Sequence, residues 1–274
     1  MAKNEVATTE KDLPDYLVDL MNKGPVDEND GFDSSDIVIP QIKLLQGTSD
    51  QVTEFDAAAP GIFWHTGMDM PLGESINFIV CSRRKKYLLQ APMDDGQGIL
   101  ARADDAKTWD RLGKWEVKVD KKTTVTWEIN DLDVERSGLT DWGTYDPTDP
   151  ENSPPAATLF YEYLVLLPDH MDLGPAVISL ARSQIKKAKK GLNDKISLHK
   201  ANGRPLQSIK FSAKTVVEQN ESNQDYFNWS FTGAGFATKE QFEHARELAG
   251  LLENYAVQNE GETDEAPKAD SDQF

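Results

Sequence analysis

The stretch that decides the fold is Ala157–Leu167, with the sequence ATLFYEYLVLL. Its β-branched and aromatic residues form the strongest strand signal in the chain. The turn-forming segment Pro168–Pro175 follows, and the apolar segment Ala176–Leu180 then returns. Two apolar segments joined by a short turn predict an antiparallel pair of strands.

Further strand patterns lie on both sides of this pair. They are Gly61–His65, Ser75–Cys81, Lys114–Val119, Thr123–Ile129, Leu206–Glu218 and Tyr226–Phe236. The third and fourth are predicted to form one hairpin, and the last two a second hairpin. Many strands with few helices predict an α+β protein, mainly antiparallel β. An elaborated OB-fold-like barrel fits this pattern, although periodicity alone does not separate it from a sandwich.

Helices are predicted at two places. One, capped by Ser179 or Ser183, runs to about Lys190, where Gly191 closes it, and a second turn of helix continues over Leu192–His199. The other is the C-terminal helix Lys239–Tyr255, which has a capping signal at Thr238 and Gln241. Residues 130–155 are predicted to be a long loop, because glycines and prolines punctuate them.

The composition predicts three parts. Residues 1–36 are expected to be a disordered acidic N-terminal arm, apart from a short amphipathic helix at Leu13–Met21. Residues 37–257 are expected to form a single OB-like nucleic-acid-binding domain. Residues 258–274 are expected to be a disordered acidic C-terminal tail.

The net charge of the 274-residue chain is −18, from 29 Lys and Arg against 47 Asp and Glu. This balance argues against a histone-like or polybasic protein, because such proteins bind through net positive charge. It does not exclude nucleic-acid binding, since a sum says nothing about where the charges lie. Residues 1–36 carry a net charge of −7 and residues 260–274 carry −5.

Positive charge is concentrated in two islands. Residues 182–214 hold ten basic residues and one acid, a net charge of +9. The second island is the run Arg83-Arg84-Lys85-Lys86, which Tyr87 follows. Such islands create local positive potential in an acidic protein. We interpret them as the contact surface for an anionic polymer, while an ordinary solvated lysine face is the alternative for the helical island.

No catalytic or metal-binding motif stands out. Cys81 is the single cysteine, so a disulfide framework, a CxxC redox site and a Cys-rich zinc site are excluded within one chain. We expect Cys81 to be a buried structural thiol. The four histidines show no metal-ligand spacing, and the pairs Asp94-Asp95 and Asp104-Asp105 lack a calcium-loop pattern. We therefore expect no enzyme activity, no cofactor and no metal.

Nothing in the sequence resembles a membrane span or a signal peptide. The apolar stretches fall far short of the roughly 20 residues that a spanning helix needs. The segment Met1–Glu5 also lacks the apolar run of a signal peptide. We therefore expect a soluble protein of a reducing compartment, with no membrane partner.

Single-strand binding needs a positive groove with aromatic faces for stacking. The candidate nucleic-acid-binding residues are Arg83, Arg84, Lys85, Lys86, Tyr87, Trp109, Arg182, Lys186, Lys187, Lys189, Lys190, Lys195, Lys200, Arg204, Lys210, Phe211 and Lys214. Among the tryptophans, Trp115 and Trp127 are expected in the core, and Trp109 and Trp142 are expected to be exposed.

The chain ends in an acidic segment with an aromatic residue at its last position. Asp270, Asp272 and Phe274 are the candidate partner-binding residues, because an apolar pocket with basic neighbours can capture such an end. This tail is similar to the tails of bacterial and tailed-phage single-stranded DNA-binding proteins. The resemblance implies an oligonucleotide-binding core, and a tail that recruits replication, recombination or repair proteins and competes with DNA for the basic groove.

The body also resembles a family of phage proteins that are encoded with replication genes. The segments that carry this resemblance are Ile39–Gly47, Gly98–Asp105, Asn152–Ala157 and Ser179–Ser183. We therefore expect a phage single-stranded DNA-binding protein in the cytoplasm of the infected host, acting in DNA replication, recombination or repair. A recombination-accessory or protein-interaction factor and a metal-dependent nuclease are the alternatives, and a homo-oligomer is left open.

Overall fold

The fold comes from a computed structural model, which describes residues 38–220, 223–250 and 256–257. The strands are β1 (Val38–Ile39), β2 (Ile42–Leu44), β3 (Phe63–His65), β4 (Met70–Gly73), β5 (Ser75–Gln90), β6 (Ile99–Ala103), β7 (Gly113–Lys118), β8 (Thr124–Ile129), β9 (Ala157–Leu166), β10 (Pro175–Ala181), β11 (Ile209–Gln219), β12 (Asp225–Phe236) and β13 (Ala256–Val257). The helices are α1 (Asp50–Glu54), α2 (Ser183–Ala188), α3 (Asp194–Ala201) and α4 (Lys239–Glu247). The predicted Leu13–Met21 helix, the arm 1–36 and the tail 258–274 lie outside the described residues.

The main sheet has six strands in the order β10-β9-β5-β11-β12, with β6 also paired to β5. All of these pairings are antiparallel, whereas β1 and β13 pair in parallel. Smaller sheets are β2-β3-β4 and the hairpin β7-β8. The mainly antiparallel α+β class is confirmed. Within the described residues the strands do not close into a barrel, because the main sheet ends at β10 and β12, and the OB-fold likeness stays a prediction.

Strand β5 is the longest strand and departs from its prediction. The alternation of apolar residues predicts a strand that stops at Cys81, but β5 continues to Gln90 and contains the whole basic run. The pairing with β9 shifts by one residue between Val80 and Ser82. This β-bulge inserts one extra residue, so it reverses which side chains point to each face of the sheet.

Each face of the main sheet has its own apolar core. On one face, Phe78, Tyr163 and Phe231 pack with residues of α2 and α3, and we call this the α2 face. On the opposite face, Ile79 and Leu164 pack with residues of α4, and we call this the α4 face. Burial on both faces removes apolar surface from water, which stabilises the sheet and fixes its register.

The helical segment after β10 differs from the predicted helix that Gly191 closes. Helix α2 runs directly into a π-helical turn, Lys189–Asn193, and then into α3. Gly191 does not end the helix, because it lies inside this turn against β12. A Cβ atom at this position would come within 2.6 Å of the Cβ atom of Phe231. The glycine therefore permits close packing of the helix on the sheet.

A third core cluster forms around β6 and the hairpin β7-β8, with part of the loop 130–155 and the adjoining Ala156. This loop has no helix or strand, as predicted, but hydrogen bonds hold it in place. The indole of Trp127 donates to the carbonyl of Tyr145 at 3.2 Å, and that of Trp109 donates to the hydroxyl of Ser137 at 3.1 Å. Trp127 is buried and Trp142 is exposed, as predicted. The prediction that Trp109 is exposed is wrong, since this side chain is 1% exposed.

The C-terminal helix begins as predicted. The hydroxyl of Thr238 accepts from the backbone N–H of Gln241, and the Gln241 side chain accepts from the N–H of Thr238. This reciprocal capping box satisfies two N–H groups that the first turn leaves unpaired. The helix ends earlier than predicted, at Glu247, and a 3-10 turn follows over Leu248–Gly250.

Candidate nucleic-acid interface

The bulge at Cys81 sorts the basic run of β5 onto two faces. Beyond it, Arg83 lies opposite Tyr163, Arg84 opposite Glu162, and Lys85 opposite Tyr161. Because cross-strand partners share a face, Arg83 and Lys85 lie on the α2 face with the tyrosines. Arg84 and Lys86 lie on the α4 face with Glu162.

On the α4 face, the two cations neutralise a buried carboxylate. The Arg84 Nε atom donates to Glu162 Oε2 at 2.6 Å, and Lys86 Nζ lies 2.7 Å from Glu162 Oε1. Glu162 is fully buried and Lys86 is 3% exposed. These two cations therefore act as structural counterions. The sequence predicts that Lys86 contacts a phosphate, but its buried ammonium group is not accessible to one.

On the α2 face, the two cations, Arg83 and Lys85, are exposed. Lys85 Nζ lies 5.3 Å from the centroid of the Tyr161 ring, within the range of a cation–π interaction. Arg83 Nη1 donates to Asn193 Oδ1 at 2.5 Å. The hydroxyl of Tyr163 donates to the same oxygen at 3.2 Å. Burial raises the pKa of Tyr163, so its phenol stays protonated as a donor.

Asn193 is the point at which the two basic islands meet. It closes the π-helical turn of the helical island, and the bond from Arg83 attaches it to the β5 island. Lys189 and Lys190 precede Asn193 by about one helical turn and are exposed. The fold thus joins two islands that are about 100 residues apart in sequence. Asn193 is uncharged, so charge counting missed it.

The other candidate cations have different surroundings. Lys187 forms an ion pair with Glu218, and this pairing lowers the pKa of Glu218. Exposed side chains are those of Arg182, Lys186, Lys200, Arg204 and Lys214, whereas Lys195 and Lys210 are half-buried. Arg182 has a φ angle of 49° at the start of α2. This left-handed conformation is strained for a residue with a side chain, and such strain clusters at functional sites.

Two of the three candidate stacking residues are inaccessible. Phe211 is fully buried in the core of the α2 face, and Trp109 is buried in the third cluster. Neither ring can stack on a base in this structure, so both leave the candidate site. Strand alternation explains why Phe211 is buried although its basic neighbours are not: Lys210 and Lys214 lie on the opposite face of β11. Tyr87 stays on the α2 face and is half-buried, and burial raises its pKa.

One member of each acidic pair that a nuclease would use accepts hydrogen bonds from groups of the protein itself. Asp105 accepts hydrogen bonds from the backbone N–H groups of Lys107 and Thr108, which lower its pKa. Asp95 accepts from the N–H of Lys118 and from the side chain of Gln97. In the part of the chain that the structure describes, no group of three or more His, Cys, Asp or Glu side chains gathers as a metal site. Cys81 is buried as predicted, which raises its pKa to about 12.

A family model described as Pam3 phage gp34-like protein matches residues 5–258. The chain belongs to this family. It is therefore a phage protein, in agreement with the phage origin expected from the sequence. No curated protein and no solved structure matches the chain. Among the described residues, no helix is long and apolar enough to cross a membrane.

Proposed function

We propose that this phage protein binds single-stranded DNA without sequence specificity during replication, recombination or repair of phage DNA. It acts as a passive binder, not as an enzyme, in the cytoplasm of the infected cell. The observation that carries the proposal is the bond between Arg83 and Asn193. It brings Arg83 and Lys85 of β5 to the helical turn that carries Lys189 and Lys190. We call this gathering of four cations the basic face, and it belongs to a protein whose net charge is −18.

This gathering matters because affinity for nucleic acid comes largely from phosphate neutralisation. Scattered lysines on an acidic protein are screened beyond about 10 Å, whereas gathered cations reinforce each other's potential. Arg83 and Lys85 are exposed: Arg83 donates to Asn193, which also accepts from Tyr163, and Lys85 lies over the Tyr161 ring. Contacts to phosphates carry no sequence information, so such a surface would bind strands of any sequence.

The acidic tail has a second role in this proposal. Asp270, Asp272 and Phe274 would recruit replication or recombination proteins, as the tails of similar single-stranded DNA-binding proteins do. A net charge of −5 over residues 260–274 would also compete with DNA for the basic face. Deletion of residues 260–274 should therefore tighten DNA binding, and the difference should shrink as salt increases. If the deletion leaves the affinity for DNA unchanged, the tail serves only to recruit protein partners.

The central test is a fluorescence titration of labelled oligo(dT) at low and moderate salt. The double variant Arg83→Glu/Lys85→Glu should weaken binding at least about tenfold at low salt, because the new carboxylates repel the phosphates that Arg83 and Lys85 would neutralise. Loss of two phosphate contacts should also reduce the salt slope by about 1.4. Lys114→Glu/Lys118→Glu, which makes the same charge change at exposed positions of the separate β7-β8 sheet, is the matched control.

Each alternative gives a different result. If the wild-type chain shows no salt-sensitive binding to oligo(dT), the proposal fails. If both double variants weaken binding equally, the basic face is not the site. If poly(dT) displaces a bound protein partner only weakly, that result would favour a protein-interaction factor. Cleavage of the strand with Mg²⁺ or Mn²⁺ would favour a nuclease.

A further inference from the structure

Phe236 is an exposed aromatic side chain at the end of β12, with 61% of its surface in contact with solvent. The Arg204 guanidinium carbon lies 5.5 Å from the centroid of its ring. The ring of His199 lies 5.8 Å away and is tilted by 33°. An exposed ring with a cation beside it is suited to a planar, anionic ligand.

The surroundings of Phe236 are fixed by hydrogen bonds. His199 is buried, and its Nε2 atom lies 3.0 Å from the hydroxyl oxygen of Ser208. Burial and then the charge of Arg204 lower the pKa of His199, so its ring stays neutral at neutral pH. The backbone N–H of Arg204 donates to the carbonyl of His199 at 3.2 Å. The His199 ring and the backbone of Arg204 are therefore held in place beside Phe236.

This cluster is connected to the contact between Arg83 and Asn193. Helix α3 begins directly after Asn193 and carries His199 near its end, about 9 Å along the axis. On the sheet side, the Gln207 side chain donates to the carbonyl of Cys81 at 2.7 Å, two residues before Arg83. Helix α3 on one side and the hydrogen bond from Gln207 to β5 on the other thus connect the basic face to the Phe236 cluster.

We infer that Phe236 and Arg204 form a stacking subsite for one base of a single-stranded nucleic acid whose phosphates lie on the basic face. The inference rests on the proposed function and adds to it the place where a base is held. The Phe236 ring offers a sequence-tolerant stacking surface. Arg204 adds a second planar surface and a charge for the neighbouring phosphate.

The test compares Phe236→Ala with Val217→Ala on two strands. Val217 is a matched control, because it lies on the same hairpin and is 60% exposed. Phe236→Ala should weaken binding of oligo(dT) at least about fivefold, the smallest loss typical of one stacked base. On a strand of equal length with abasic sugars, the loss should disappear, because no base remains to stack. Val217→Ala should bind both strands like the wild-type protein.

Two further variants distinguish stacking from charge. Phe236→Trp should keep or strengthen oligo(dT) binding, since its ring is larger. Arg204→Lys should weaken binding even though it keeps the charge, because a lysine has no planar group. An equal loss for Phe236→Ala on the normal and abasic strands, or no loss on either, overturns the subsite while leaving salt-dependent binding to the basic face intact. If the wild-type chain binds no DNA, both the subsite and the proposed function fail.

Discussion

Four consecutive basic residues of β5 have opposite surroundings on the two faces of one strand. Arg84 and Lys86 enclose a fully buried carboxylate on the α4 face. Arg83 and Lys85 are exposed on the α2 face, where they contact Asn193 and the Tyr161 ring. The same residue types therefore stabilise the fold on one face and remain available to a ligand on the other.

The comparison shows that the strand period decides the role of a charge. A buried carboxylate needs paired cations, because charge removed from water is costly unless it is compensated. An exposed cation contributes little to stability, since water and salt screen it. Variants on the α4 face should therefore affect stability most, and variants on the α2 face should affect DNA binding most.

The largest expected effect comes from Glu162→Gln. This change leaves Lys86 buried without a counter-charge, so we expect a loss of about 3–5 kcal/mol in the free energy of unfolding. Urea unfolding measures the loss. The double variant Glu162→Gln/Lys86→Met should recover part of it, because it removes the uncompensated charge.

Glu128→Gln is the control for this prediction. Glu128 pairs across strands with Lys114 at 3.6 Å, but both side chains are at least half exposed. The same chemical change should therefore cost no more than about 1 kcal/mol. Equal losses in the free energy of unfolding for Glu162→Gln and Glu128→Gln would show that burial of the Glu162 carboxylate adds nothing to the importance of its ion pairs for stability.

A smaller effect is expected from Gly191→Ala. The added Cβ atom would lie 2.6 Å from the Cβ atom of Phe231 and 3.1 Å from its carbonyl oxygen, so the helix must move away from the sheet. Such overpacking costs about 1–3 kcal/mol. Because the same turn carries Asn193, oligo(dT) affinity should fall as well. Gly233→Ala, where an added Cβ atom meets nothing within 4 Å, should change stability by less than about 0.5 kcal/mol.

Local patterns predicted much of the fold. Alternating apolar residues located the hairpins β7-β8 and β11-β12, and the Thr238 capping signal located the start of α4. These features depend on neighbouring residues, so the sequence carries them directly. The bulge at Cys81 was missed, because one extra residue in a strand leaves no mark in the composition.

The candidate site was less predictable, because tertiary contacts assemble it. Charge counting found both basic islands but not Asn193, which joins them. Nearness in sequence wrongly suggested that Phe211 lies beside Lys210, whereas alternation places them on opposite faces. Phe236 was missed because its cationic neighbour Arg204 lies 32 positions earlier in the chain.

Only a small effect on stability is expected from Arg83→Ala/Lys85→Ala on the α2 face. Both side chains are exposed, and Asn193 Oδ1 keeps its hydrogen bond from Tyr163 after Arg83 is removed. The free energy of unfolding should therefore change by no more than about 1 kcal/mol, measured by the same urea titration as for Glu162→Gln. A loss near 3 kcal/mol would place Arg83 and Lys85 in the same structural role as Arg84 and Lys86, and the distinction between the two faces of β5 would fall.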